Sequence, residues 1–244
     1  MLYILIGIAE ALCVAALVLV GIWMGVYRGG VAWDGSTSEF NVHPIMMTLG
    51  LIVFNGNALM LYRACRRTPH VWVKTAHVVL HCLALICACV ALAAVWQYHD
   101  ANGLPNVYSI HSWIGITVFI LFAVQWLIGL FMFAFPCASL QQRDRYKPLH
   151  IFLGVFIFGG ACAAALIGIE DKLMLSISTT YSSRPPEAYV ANFFGYVILA
   201  LAAVVTFIVT FAPWKRPEDI ASEWQPIVTS TPARGLNIQE PSDL

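Results

Sequence analysis

Six stretches of about twenty apolar residues, near positions 3–26, 43–62, 75–97, 109–133, 149–169 and 190–212, leave this chain few ways to fold. A bilayer core about 30 Å thick is crossed by roughly twenty residues of helix, and inside it each backbone polar group needs a partner within its own segment. The composition agrees: 60% of the residues are hydrophobic and 11% charged, where a soluble domain is nearer half and a quarter. The expected fold class is an all-α integral membrane protein with six transmembrane helices. The segments between the spans, such as RGGVAWDGSTSEFN, DANGLPN and YSSRPPE, collect charges, prolines and glycines. The first span lacks a basic leader and a small-residue cleavage site, so it reads as a retained helix with Glu10 turned toward protein or a polar cavity. Residues 1–215 then form the membrane domain, and the polar, proline-dotted 216–244 a disordered cytosolic tail.

Positive charge sets the expected orientation. One set of connections carries Arg63, Arg66, Arg67, Lys74, Arg143, Arg145 and Lys147, with Lys215, Arg216 and Arg234 in the tail; the other set carries Arg28, Lys172 and Arg184. Lysine and arginine accumulate on the cytosolic side, which puts both termini in the cytosol. The net charge is zero and no basic stripe appears, which argues against a nucleic-acid partner. Seven cysteines at 13, 65, 82, 87, 89, 137 and 162 form no CxxC and no disulfide framework, and read as small residues in helix packing.

The histidines are the most informative residues. His43 and His111 open spans 2 and 4 at the non-cytosolic side; His77 and His81 open span 3, and His150 span 5, at the cytosolic side. Neighbouring spans run in opposite directions, so His43 and His111 share one depth, and His150 shares another with His77 or His81. About fourteen residues of helix at 1.5 Å each separate the layers by roughly 20 Å. An intramembrane imidazole is costly unless paired, ligating or facing water. Two imidazoles from facing helices at one depth are what a bis-histidine haem requires, and bundle cores are where such sites are built. Glycines in these spans (Gly50, Gly56, Gly115, Gly129, Gly154, Gly159, Gly160) would let a flat macrocycle lie against backbone. A haem-free secondary transporter using the same histidines as a proton relay, or a scaffolding protein that uses them only for packing, is the alternative. Zinc is a weaker one, because HVVLH has the spacing of a zincin motif but lacks its glutamate.

Several ordered motifs resemble the cytochrome b561 family: YRGGVAWDG, FNVHPIMMTLGL, GNALMLYR, KTAHVVLH, NVYSIHSWIGI, KPLHIFLGVFIFG and WKRP. The resemblance covers nearly the whole membrane part and is closest to the animal chromaffin-granule and lysosomal branches. It implies a six-helix homodimer with two haem b groups in a four-helix core of spans 2–5. It also implies electron transfer from cytosolic ascorbate to monodehydroascorbate or ferric iron across a secretory-vesicle, endosomal, lysosomal or plasma membrane.

Carried over by position, the family pattern makes His43 and His111 the axial pair of the non-cytosolic haem and His77 with His150 the cytosolic pair. It selects His77 over His81, which spacing alone does not. Arg63, Lys74, Arg143 and Lys215 match basic positions beside the cytosolic haem, with Lys74 and Arg143 as ascorbate contacts. His81, a neutral imidazole near that site's edge, is expected to take a proton from ascorbate. His70 replaces a lysine common among relatives and is the weakest of these contacts. On the other side, Asn106, Val107, Tyr108 and Ser109 resemble the segment that cradles the non-cytosolic haem, and His99 matches an acceptor-side position. Asp171 stands where relatives carry glutamate, with Glu170 just before it. Trp113, Phe122 and Trp126 read as packing and interface aromatics.

Overall fold

The computed structural model describes residues 1–135 and 137–216. Among the described residues six helices are long and apolar enough to cross a membrane: α1 Leu2–Tyr27, α2 Thr37–Ala64, α3 His70–Ala101, α4 Ile110–Ala134, α5 Leu140–Tyr181 and α6 Pro186–Thr210. α1, α2, α3 and α5 contain the whole apolar stretch expected of them, with α3 and α5 running well past theirs, whereas α4 begins just after the expected position 109 and α6 ends at Thr210, short of the expected 212. Nothing obliges a helix to end at the bilayer surface when its ends are capped. Ser109 opens α4 by accepting from the Ser112 amide, and Ser139 with Gln142 forms a reciprocal capping box at the start of α5. The 42 residues of α5 measure about 63 Å at 1.5 Å each. Pro148 sits inside its first turns and Ile177 breaks the helical dihedrals near its end.

Packing follows the small residues. One stripe of α3, comprising Ala84, Cys87, Ala88, Ala91 and Ala94, is buried, and α3 packs on α2. A Cβ on Gly50 of α2 would stand 2.7 Å from Cys87 Cβ and 2.9 Å from the Ala84 carbonyl oxygen, so only glycine permits this approach. Over Thr48–Phe54, α2 widens into a π-helical stretch, and the Thr48 hydroxyl donates to the Pro44 carbonyl oxygen at 2.7 Å. The other close pairs are α4 with α5 and α1 with α6. The two inner pairs meet where α2 touches α5, and α6 backs both, whereas α3 and α4 barely touch. The four-helix core is therefore closed along one seam and open along the opposite one.

Three expectations shift in detail. Glu10 is exposed on the outer face of α1 rather than turned inward. The buried face of that helix is Leu2, Ala9, Cys13, Ala16 and Val20, and Glu10 lies about 100° around the helix from Ala9. Among the cysteines, Cys13, Cys87 and Cys162 are buried in packing as expected, but Cys89 and Cys137 are exposed. Arg216, placed in the tail by sequence, is buried and donates to the Cys65 and Thr68 carbonyl oxygens at 2.9 and 2.8 Å. The rest of the expected tail, 217–244, lies outside the described residues.

Candidate functional site

Four histidines meet in two pairs. The ring centroids of His43 on α2 and His111 on α4 are 6.0 Å apart, and those of His77 on α3 and His150 on α5 are 6.3 Å apart. Two metal–nitrogen bonds of about 2 Å and two ring half-widths of about 1 Å also span roughly 6 Å. Three of the imidazoles are oriented by the backbone. Nδ1 of His43 lies 3.1 Å from the Ala91 carbonyl oxygen, Nδ1 of His111 2.8 Å from that of Ala164, and Nδ1 of His77 3.0 Å from that of Ala58. A carbonyl oxygen only accepts, so in each case Nδ1 carries the proton and Nε2 is left with its lone pair. That tether is the usual support of a metal-bound histidine. His150 differs: its Nδ1 is buried without a hydrogen-bond partner, while its main-chain carbonyl accepts from Gln125 Nε2 at 2.9 Å.

The surroundings fit a flat macrocycle held by two nitrogens. Among the described residues no three His, Cys, Asp or Glu side chains converge into a metal site, so each pair offers two protein ligands and leaves the remaining positions to a prosthetic group. A Cβ on Gly168 would stand 2.7 Å from His111 Cε1, and one on Gly129 would stand 3.3 Å from His150 Cε1. Both glycines thus admit an imidazole against helix backbone. Around His43 and His111 a cavity opens between α2, α3, α4 and α5, with Gly115, Ala161, Ala164, Ala165 and Gly168 among its walls. It holds some 1460 Å³ of atom-free space, part of it open to the exterior.

The residues expected around the non-cytosolic pair gather at that cavity: His99, Asn106, Val107, Tyr108, Ser109 and Asp171 all line it. Asn106 donates to Asp100 Oδ1 at 2.8 Å, and Trp113 Nε1 donates to the Val107 carbonyl oxygen at 3.1 Å. Val107 holds a left-handed φ of 53°, a conformation that a β-branched residue adopts only under constraint. The ring of Tyr108 stacks on His99 at 6.4 Å, and His99 Nδ1 lies 3.1 Å from the Pro105 carbonyl oxygen.

At the opposite end, the two expected ascorbate contacts converge. Lys74 Nζ donates to the Phe133 carbonyl oxygen at 3.1 Å, and Arg143 donates from Nη2 to that of Phe135 at 3.2 Å and from Nε to that of Ala138 at 3.1 Å. Both cations therefore anchor at the end of α4 and just beyond it. The Phe133 ring lies 5.2 Å from His150, so they flank the His77–His150 pair. Arg63 donates to the Val209 carbonyl oxygen at 2.6 Å, tying α2 to α6, while Arg66 holds the main chain of Lys215 at 2.8 Å. His70 begins α3, with its ring 6.5 Å from Tyr62.

His81 is not at the edge of this site. It lies one turn deeper along α3, its ring 4.4 Å from His77 and 5.5 Å from Phe122. Its Nδ1 is buried and unpartnered. The sequence reading also missed Gly168, Gln125 and Lys172. The last lines the cavity of the other pair, and a lysine counted only for sidedness carries no such signal.

Residues 42–176, from α2 through most of α5, match the family model of eukaryotic cytochrome b561. The chain belongs to that family. It is 43% identical over 212 residues to the transmembrane ascorbate-dependent reductase CYB561 of Sus scrofa, an overlap of 87% of this chain and 84% of that one. With the plasma membrane ascorbate-dependent reductase CYBRD1 of Xenopus laevis it shares 41% identity over 86% of its own length and 76% of the relative's. With the lysosomal membrane ascorbate-dependent ferrireductase CYB561A3 of Homo sapiens it shares 38% over 92% and 94%. Cytochrome b561 membership implies haem b, which agrees with the donor set of the two histidine pairs.

Proposed function

We propose that this cytochrome b561 is an ascorbate-dependent transmembrane reductase, taking one electron from ascorbate on the cytosolic face and delivering one to monodehydroascorbate or ferric iron on the other. The observation that carries the reading is the pairing of His43 with His111 and of His77 with His150, at 6.0 and 6.3 Å between centroids. We assign one haem b to each pair, and each haem supplies one-electron carrying chemistry when bound. The chain's own residues orient, bind and exclude water. Ala91, Ala164 and Ala58 lend their carbonyls to hold three imidazoles in the ligating tautomer. Lys74 uses one of its three donors on the Phe133 carbonyl, which leaves two for an anionic ring oxygen. The Arg143 guanidinium brings a second positive charge to the same helix end, so an ascorbate monoanion is favoured there by charge and by directed donors. Arg63 and Lys215 add positive potential on that side.

Asn106, Val107, Tyr108, Ser109 and Asp171 shape the opposite cavity, with His99 and Tyr108 at its rim as the acceptor contact. The charge asymmetry of the loops supports cytosolic termini, and a homodimer is the assembly expected for the family. The relay alternative draws no support from the histidines: no hydrogen bond joins His43, His77, His81, His111 or His150 to another imidazole.

A visible spectrum of the purified protein with and without ascorbate tests this function. Two sets of b-type bands, both reducible by ascorbate, are expected. A colourless protein, or b-type bands indifferent to ascorbate, would refute the proposal.

A further inference from the structure

Among the described residues Lys172 makes no ion pair of its own. It lies on α5 four residues after Gly168, hence on the helix face that meets His111. Its side chain reaches into the same cavity as His43, His111 and Asp171, and its Nζ stands 4.0 Å from the centroid of the Phe40 ring. Phe40 in turn lies 6.3 Å from the His43 ring. Among the described residues no carboxylate stands within 4.0 Å of this ammonium. The carboxylate that ends near it is already engaged: Glu187 pairs with Arg28 through Oε2 and accepts from Trp23 Nε1 through Oε1 at 2.8 Å. Asp171 is the adjacent residue, so its side chain leaves the helix about 100° away.

A half-buried ammonium is normally paired, because an aromatic face recovers only part of the hydration it gives up. Here the ammonium lines a partly open cavity whose walls include His99 and the exposed Tyr108. Lysine offers three rotatable donors on a flexible stem, which suits a small oxyanion approaching from varied directions better than a fixed planar partner.

We propose that Lys172 is the oxyanion-holding group of the non-cytosolic cavity, binding a carboxylate or enolate oxygen that enters between Phe40 and Tyr108. Two sources offer that chemistry: an anionic acceptor such as a carboxylate chelate of ferric iron, and the acid side chains of the macrocycle held by His43 and His111. The inference deepens the reductase reading and rests on it, since it names the charge class that the acceptor side takes.

The test uses the full chain in lipid nanodiscs with gallium citrate, a redox-inert trivalent carboxylate chelate, as probe. Calorimetry measures its binding, and the haem retained after detergent challenge is quantified alongside. For an anionic acceptor, Lys172→Met weakens gallium citrate binding about tenfold or more, Lys172→Arg keeps most of it, and raising the salt weakens the wild type. If the oxyanion belongs to the macrocycle, gallium citrate binding is unchanged, while Lys172→Met loses the haem of the His43–His111 pair faster than wild type and Lys172→Arg does not. A Lys172→Met protein that differs from wild type in neither measurement overturns the proposal. Failure of the reductase reading looks different: ascorbate leaves the wild-type spectrum unchanged while gallium citrate still binds through Lys172.

Discussion

Gly168→Ala is the smallest change that separates an imidazole's support from the stability of the helix that supports it. An added Cβ would stand 2.7 Å from His111 Cε1 and 2.8 Å from its Nδ1, where carbon contacts settle near 3.5–4.0 Å. Relief requires the ring to move by about 0.8 Å. The Nδ1 bond to the Ala164 carbonyl oxygen, 2.8 Å at present, then stretches to about 3.6 Å and ceases to be a hydrogen bond. Losing that tether costs about 1 kcal/mol in the bond itself, and loss of such outer support lowers metal affinity by roughly 10- to 100-fold. Alanine meanwhile favours the helix over glycine by about 1 kcal/mol, so thermal stability holds while cofactor affinity falls.

The assay is haem content and the rate of haem loss to apomyoglobin, read by absorbance, for Gly168→Ala beside two controls on the same helix. Gly160→Ala meets Val118 Cγ2 at the same 2.7 Å but no histidine, and Gly159→Ala meets nothing within 4 Å. Only Gly168→Ala is expected to lose haem quickly, and only from one of two spectral components. Haem loss from Gly168→Ala no faster than from Gly160→Ala would show that the close approach to His111 does not support ligation.

Three further outcomes follow from the same geometry. His77→Ala should remove the haem of the His77–His150 pair, about half the total, whereas His81→Ala should leave haem content intact; equal losses by pyridine haemochrome assay would overturn the choice of His77. Lys74→Ala and Arg143→Ala should each raise the KM for ascorbate about tenfold or more. Because both lie at an aqueous mouth, the wild-type KM should also rise with salt, and a KM independent of both charges places the donor site elsewhere. Glu187→Gln leaves the Arg28 guanidinium without its carboxylate in a largely buried setting, which costs on the order of 3 kcal/mol. A thermal melt in detergent should show a clear loss of Tm, and an unchanged Tm would mean the pair is hydrated enough not to matter.

The six spans and the levelling of the histidines were legible because both depend on length alone. Antiparallel neighbours of known length bring His43 to the depth of His111 and His77 to that of His150 with no knowledge of side-chain direction. What needed direction was not legible. Hydropathy does not say which face of α1 is buried, so Glu10 was expected inward and lies outward. His77 and His81 share a helix face, and spacing treats them alike. Their surroundings differ in the structure, where His77 reaches the Ala58 carbonyl and His81 has Phe122 beside it. Lys172 looked like one more loop charge until α5 proved helical through Tyr181, which carries the lysine onto the face of Gly168.

The open seam between α3 and α4 is the structural reason that these residues can act together. Gly50 lets α2 and α3 close until the Ala84 carbonyl would block any side chain. Across the core, a Cβ on Gly56 would stand 3.2 Å from Phe158 Cε2, and one on Gly154 would stand 3.2 Å from Leu59 Cδ2, so α2 and α5 also pack closely, through side chains seated on glycine. With α6 packed behind α2 and α5, neither inner pair can swing to close the space between α3 and α4. A bundle free to relax would fill such a space with side chains, as protein interiors do. Here the walls are fixed by close contacts at glycine, and three of the four paired imidazoles, His43, His77 and His111, are tied to backbone carbonyls. Ligands held this way are positioned before the macrocycle arrives. The same rigidity explains why a single methyl group at Gly168 is expected to be felt at the metal rather than absorbed by the helices.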